Sequence, residues 1–112
     1  MFGFGKRAAH DEIGPVELDR MLSNGSVLLI DVREADEFAT GHIPGAVNLP
    51  LSRFSPERVP DAGGRTVVLQ CAGGKRSGMA LDRCAQAQSA IHTHLSGGIG
   101  AWKQAGLPVV VG

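Results

Sequence analysis

The chain alternates short, nearly continuous apolar runs with amphipathic stretches and glycine-rich breaks. Val27-Leu28-Leu29-Ile30-Asp31-Val32 has the pattern of a strand covered on both faces. Thr66-Val67-Val68-Leu69-Gln70 repeats it after the turn signal Asp61-Ala62-Gly63-Gly64, and ends on Cys71. Ala46-Val47-Asn48-Leu49 and Ile91 to Leu95 read as two shorter strands. Pro15 can open a helix at its first position, with Leu18, Met21 and Leu22 on one face and Asn24-Gly25 as the stop. Glu34 to Phe38 predicts a short helix closed by Thr40-Gly41. Ser77 is the expected N-cap of a helix from Gly78 to Gln88, whose apolar positions include Leu81, Cys84 and Ala85. A last helix is expected over Ile99 to Gln104, before Gly106 and Pro108. Pro50 to Pro60 reads as an irregular connection with one helical turn, and residues 1–12 as a loose arm. Residues 13–112 then form one domain. Strands alternating with helices predict an α/β fold, an open parallel sheet with helices on both faces.

Composition narrows the function without naming it. A chain of 112 residues suits one core. With 11 Lys+Arg against 11 Asp+Glu, no global field favours nucleic acid or an anionic membrane. No apolar run reaches the roughly 18 to 20 residues that cross a bilayer, and the basic pair Lys6-Arg7 is followed by no signal-length apolar stretch. A reducing cytoplasm is the expected setting, with Cys71 and Cys84 as free thiols.

Cys71 stands where open parallel sheets bind ligands, beyond the carboxyl end of a strand. Ala72-Gly73-Gly74-Lys75-Arg76-Ser77 follows it. Two glycines permit a tight loop whose amides turn inward as an anion nest, and the next helix adds its positive terminus. Lys75 and Arg76 bring two cations. Each feature favours thiolate over thiol, so Cys71 is expected to be a nucleophile of depressed pKa. A buried strand-end cysteine in a glycine turn is the bland alternative, but strand, cysteine, glycines, basic pair and cap stand here in the order the chemistry needs.

The segment Cys71 to Ser77 resembles the active-site loop of rhodanese-like domains. Asp31-Val32-Arg33-Glu34 through Gly41-His42-Ile43-Pro44-Gly45-Ala46 is similar to one flanking signature of that family, and Leu95-Ser96-Gly97-Gly98-Ile99 with Ala101-Trp102 to another. Gln86 to Thr93 departs from the pattern by lacking the usual glycine-containing turn. The resemblance implies five parallel strands and sulfur transfer without metal or other cofactor. Cys71 would take sulfane sulfur from thiosulfate or a persulfide donor and pass it to a thiol, cyanide or another nucleophile. Inward amides of residues 72–77 would hold the persulfide. Phosphatases and arsenate reductases of related layout have a loop one residue longer. The four residues between Cys71 and Arg76 make a smaller cradle, fitted to one extra sulfur.

Several residues around the loop carry two readings. Asp31 and Arg33, at the end of the presumed central strand, and Glu37 either position the loop or pair with Arg76, or else form structural salt bridges, the preferred reading for Arg33 and Glu37. His42 lines the pocket mouth or holds its surroundings by a hydrogen bond. Cys84 and Trp102 read as core residues. His92 and His94 share a face with metal-ligand spacing, but with no Cys, Asp or Glu in residues 89–97 both are expected to face solvent. Phe2 and Phe4 either dock a partner or belong to a free end. Three functions remain distinct: a sulfurtransferase enzyme, a sulfur-relay protein serving one protein partner, and a redox-sensing or binding module.

Overall fold

The computed structural model describes residues 10–112. Its sheet has five strands, all parallel, in the order β1-β5-β4-β2-β3, with β1 Asp11–Ile13, β2 Val27–Asp31, β3 Val47–Asn48, β4 Thr66–Gln70 and β5 Thr93–Leu95. The helices are α1 Pro15–Ser23, α2 Ala35–Thr40, α3 Lys75–Gln86 and α4 Gly98–Gln104, with short 3₁₀ turns at Leu51–Arg53 and Pro56–Arg58. The expected fold class is the observed one.

β2 and β4 form the middle of the sheet, paired over five residues from Val27↔Thr66 to Asp31↔Gln70. Their side chains alternate between two cores, which is why Val27 to Ile30 and Val67 to Leu69 are apolar without a break. Leu28, Ile30, Val32, Leu69 and Cys71 pack with Phe54, Ala80, Leu81 and Cys84 on the α3 face. Val27, Leu29 and Val68 pack with Leu18, Ile43, Leu95, Ile99 and Trp102 on the α1 and α4 face. β4, which Cys71 follows directly, is the true central strand, with β2 beside it. The chain winds outward from β2 to β3, then crosses back to β4. The resulting switch between β2 and β4 opens a crevice at their carboxyl ends.

Three boundaries differ from expectation. Asp11 and Glu12 belong to the sheet rather than to an arm, because β1 pairs with β5 at Asp11↔Thr93 and Glu12↔His94. Phe2 and Phe4 lie outside the described residues. The helix after Cys71 begins at Lys75, with Gly74 as its N-cap, so Ser77 lies inside its first turn. The helix ends at Gln86, and β5 begins only at Thr93.

Candidate active site

Cys71 leaves β4 into the crevice, and its sulfur becomes the centre of the turn that follows. Gly74 takes φ +110°, a conformation few side-chain-bearing residues adopt. That angle folds the chain back so that Gly74 N–H donates to Cys71 Sγ at 3.1 Å and Ser77 N–H donates at 3.3 Å. The Ser77 hydroxyl lies 3.6 Å from the same sulfur. Among the described residues, the amides of Ala72, Lys75 and Arg76 have no acceptor. The loop therefore offers N–H groups beyond those that already meet the sulfur. Cys71 is 1% exposed, so it forms the floor of this cradle.

Burial is the largest single influence on the Cys71 thiol and raises its pKa. Hydrogen bonds from the Ser77 hydroxyl and from the Ser77, Gly74 and Gly73 amides together outweigh it, so the pKa falls below the ordinary thiol value. The expected basic pair contributes less than its charge suggests. Lys75 is exposed. Arg76 makes a two-pronged bond to Glu37, Nη1 to Oε1 at 2.7 Å and Nη2 to Oε2 at 3.0 Å. The pairing draws the Glu37 carboxyl down to about 2. The Ser77 hydroxyl and the fixed loop amides, rather than mobile cations, lower the pKa of this cysteine.

The loop is clamped from two further sides. Gly97 and Gly98 take φ +74° and +59°, and α4 starts against the loop. Ile99 N–H donates to the Cys71 carbonyl at 2.9 Å, and Gly100 N–H to the Ala72 carbonyl at 3.1 Å. A Cβ on Gly98 would stand 2.3 Å from the Cys71 carbonyl oxygen. On the other side, buried Asp31 accepts from Arg33 Nη2 at 2.8 Å, and the same nitrogen donates to the Gly41 carbonyl at 2.8 Å. This ion pair fixes the ends of α2, and α2 carries Glu37 to Arg76. Asp31 and Arg33 thus support the loop through α2, whereas Glu37 grips it directly.

His42 holds the structure beside α2. Its Nδ1 is 3.0 Å from the Phe38 carbonyl, its ring stacks on Phe38 at 3.8 Å, and its backbone bridges to Val110. Cys84 and Trp102 are core residues as expected, 0% and 1% exposed. Burial pushes the Cys84 thiol up to about 11, and Trp102 Nε1 donates to the Pro108 carbonyl at 2.7 Å. His92 is exposed beside Asp11, but His94 is not in solvent. It is 4% exposed, because β5 lies between β1 and β4 instead of at an edge, and its Nδ1 is 2.7 Å from Ser77 Oγ.

A parallel α/β domain whose central strand delivers a cysteine into a cradle of amides defines a class of proteins built around a single loop cysteine. The profile of the rhodanese-like domain matches residues 14–105, and the chain belongs to that family. It is 47% identical over 98 residues to an uncharacterised protein of Synechocystis, covering 88% of this chain and 55% of that one. It is 36% identical over 91 residues to a sulfurtransferase of Allochromatium vinosum, covering 81% and 85%. The crystal structure of a rhodanese-related protein from Thermoplasma volcanium superposes with a TM-score of 0.77 at 26% identity, covering 92% of this chain and all of that one. The chain thus spans about half the length of the Synechocystis relative. Among the described residues, no helix is long and apolar enough to cross a membrane.

Proposed function

We propose that the protein is a sulfurtransferase that carries sulfur as a persulfide on Cys71 within a reducing cytoplasm. The observation that carries this reading is the cradle itself, in which a buried sulfur of lowered pKa receives two backbone N–H bonds while neighbouring amides stand free. In the first step the Cys71 thiolate attacks the outer sulfur of thiosulfate. A bond forms between Sγ and that sulfur, the bond to the sulfonate sulfur breaks, and sulfite leaves with the electron pair. The terminal sulfur then carries the negative charge, and free amides such as those of Lys75 and Arg76 supply donors for it. In the second step an acceptor nucleophile such as cyanide or a thiolate attacks the terminal sulfur, and Cys71 regains its electron pair as a thiolate. Neither step needs an added proton donor or a redox partner. A sulfurtransferase among the relatives supports the same chemistry.

Thiocyanate formation from thiosulfate and cyanide tests the reading. A persulfide intermediate predicts parallel double-reciprocal lines as the two substrates are varied, with no turnover by Cys71→Ser. Intersecting lines, or an active Cys71→Ser protein, would remove Cys71 from the reaction. Negligible turnover together with rapid delivery of sulfur to a second protein would assign the chain to a relay instead.

A further inference from the structure

His94 is a buried histidine placed behind the cradle, with Ser77 standing between it and Cys71. Ser77 Oγ lies 2.7 Å from His94 Nδ1, 3.6 Å from Cys71 Sγ and 3.2 Å from the Gly74 carbonyl. A hydroxyl has one proton to give. If Nδ1 is bare, the short contact draws the Ser77 proton to the imidazole, and the Cys71 thiol donates to Oγ. If Nδ1 is protonated, the imidazole donates to Oγ, and the Ser77 proton is released toward the sulfur, where it stabilises a thiolate. The far side of the ring suits both states, provided Nε2 carries a proton. His94 Nε2 is buried without a hydrogen-bond partner among the described residues, yet it lies 3.3 Å from Glu12 Oε2. A neutral ring with its proton on Nε2 turns that proton toward the Glu12 carboxylate and leaves Nδ1 bare to receive a proton from Ser77, and the imidazolium so formed donates at both ends.

We propose that His94 is a positioning residue for Cys71, receiving through Ser77 the proton that leaves the thiol and holding the Ser77 hydroxyl as a donor to the thiolate. The S–H bond breaks and its proton passes to Ser77 Oγ, while the proton of Ser77 passes to His94 Nδ1. No other bond changes, and the product is a thiolate and an imidazolium bridged by a neutral hydroxyl. The proposal rests on Cys71 as the nucleophile, but not on sulfur as what it attacks. Ionisable groups face His94 from each neighbouring element described: Glu12 from β1, His10 just before it, and Cys71 beyond Ser77. His10 is turned edge-on with ring centres 5.7 Å apart, and its Nε2 is held 2.9 Å from Asp82 of α3. Burial keeps His94 below the ordinary histidine value, with Glu12 drawing it up and His10 pressing it down. Formation of the thiolate adds a second attraction for the imidazolium, so the two groups titrate as a pair.

The experiment follows alkylation of Cys71 by iodoacetamide across pH, with the His94 ring observed by NMR, on the full chain. Asparagine at position 94 keeps an N–H near the place of Nδ1 but cannot titrate, whereas phenylalanine fills the volume and offers nothing. His94→Phe should raise the midpoint of alkylation, leaving ~10-fold less thiolate at neutral pH, the size expected for one hydrogen bond to a charged group. His94→Asn should recover most of that loss. In Cys71→Ser the His94 ring should titrate at lower pH than in the wild type, having lost the thiolate. A folded His94→Phe protein with the wild-type midpoint overturns the proposal. So does a His94 titration that ignores Cys71→Ser, and that comparison decides alone if His94→Phe does not fold. A protein that shows both shifts but never takes sulfur from thiosulfate keeps this relay and loses the sulfurtransferase reading. Sulfur loading without the shifts gives the reverse.

Discussion

Gly98 is the position where a single methyl group should do the most damage to the cradle. Adding a Cβ there places carbon 2.3 Å from the Cys71 carbonyl oxygen and 2.7 Å from both the carbonyl carbon and oxygen of Ala72. These are backbone atoms bonded to Ile99 and Gly100, so no side chain can swing away to make room. The φ of +59° adds the left-handed penalty, about 1–2 kcal/mol for a residue with a side chain. Overpacking of this kind adds about 1–3 kcal/mol. Gly106 is the matched control, since its φ is +77° and nothing lies within 4 Å of its Cβ position. Gly98→Ala should therefore cost about 2–5 kcal/mol and Gly106→Ala about 1–2 kcal/mol. For a domain of this size each kcal/mol lowers Tm by roughly 4 °C or more, so Gly98→Ala should melt well below Gly106→Ala by circular dichroism. The displaced Cys71 and Ala72 carbonyls would also misaim the loop, and displacements near 1 Å cost on the order of 100-fold in rate. Equal melting temperatures for the two variants, with sulfur loading intact, would refute the clamp.

Three further outcomes follow from named contacts. The Glu37 carboxyl is depressed from 4.5 to about 2 by Arg76, so this pairing stabilises the fold above pH 4.5 and loses its effect as pH falls toward 2; urea midpoints of wild type and Glu37→Gln should differ at neutral pH and converge across that acid range. Arg33→Met strands a buried carboxylate at Asp31 and should cost about 3–5 kcal/mol in denaturant unfolding, part of which returns when Asp31→Leu is added. The Cys84 thiol, pushed up to about 11, should resist alkylation at neutral pH until the protein unfolds, as peptide mapping would show.

The legible part of the fold was the part written in continuous apolar runs. β2 and β4 are covered on both faces and announce themselves, and Cys71 with its loop follows β4 without a break in the chain. β1 was hidden because Asp11-Glu12-Ile13 is a short edge strand with two exposed acidic residues. β1 also decides the burial of His94, because it covers the outer edge of β5, which the composition of residues 89–97 does not announce. Ser77 has the right chemistry for an N-cap, yet closure of the loop around the sulfur requires the left-handed turn at Gly74 and starts the helix earlier. The hydroxyl of Ser77 is thereby turned toward Cys71 and His94. The grip of Glu37 on Arg76 spans 39 residues, and only the packing of α2 beside the loop selects it from the pairings open to Arg76. Gly97-Gly98 was visible as a family signature, but its role as the seat of the Cys71 and Ala72 carbonyls needed the structure.

The most direct test of the central claim is the intact mass of the purified protein before and after thiosulfate, with and without dithiothreitol, followed by peptide mapping. The account predicts a gain of one sulfur atom, reversed by the reductant, located on Cys71, absent from Cys71→Ser and retained in Cys84→Ser. No added sulfur on the wild type, or sulfur mapped to Cys84, would contradict it.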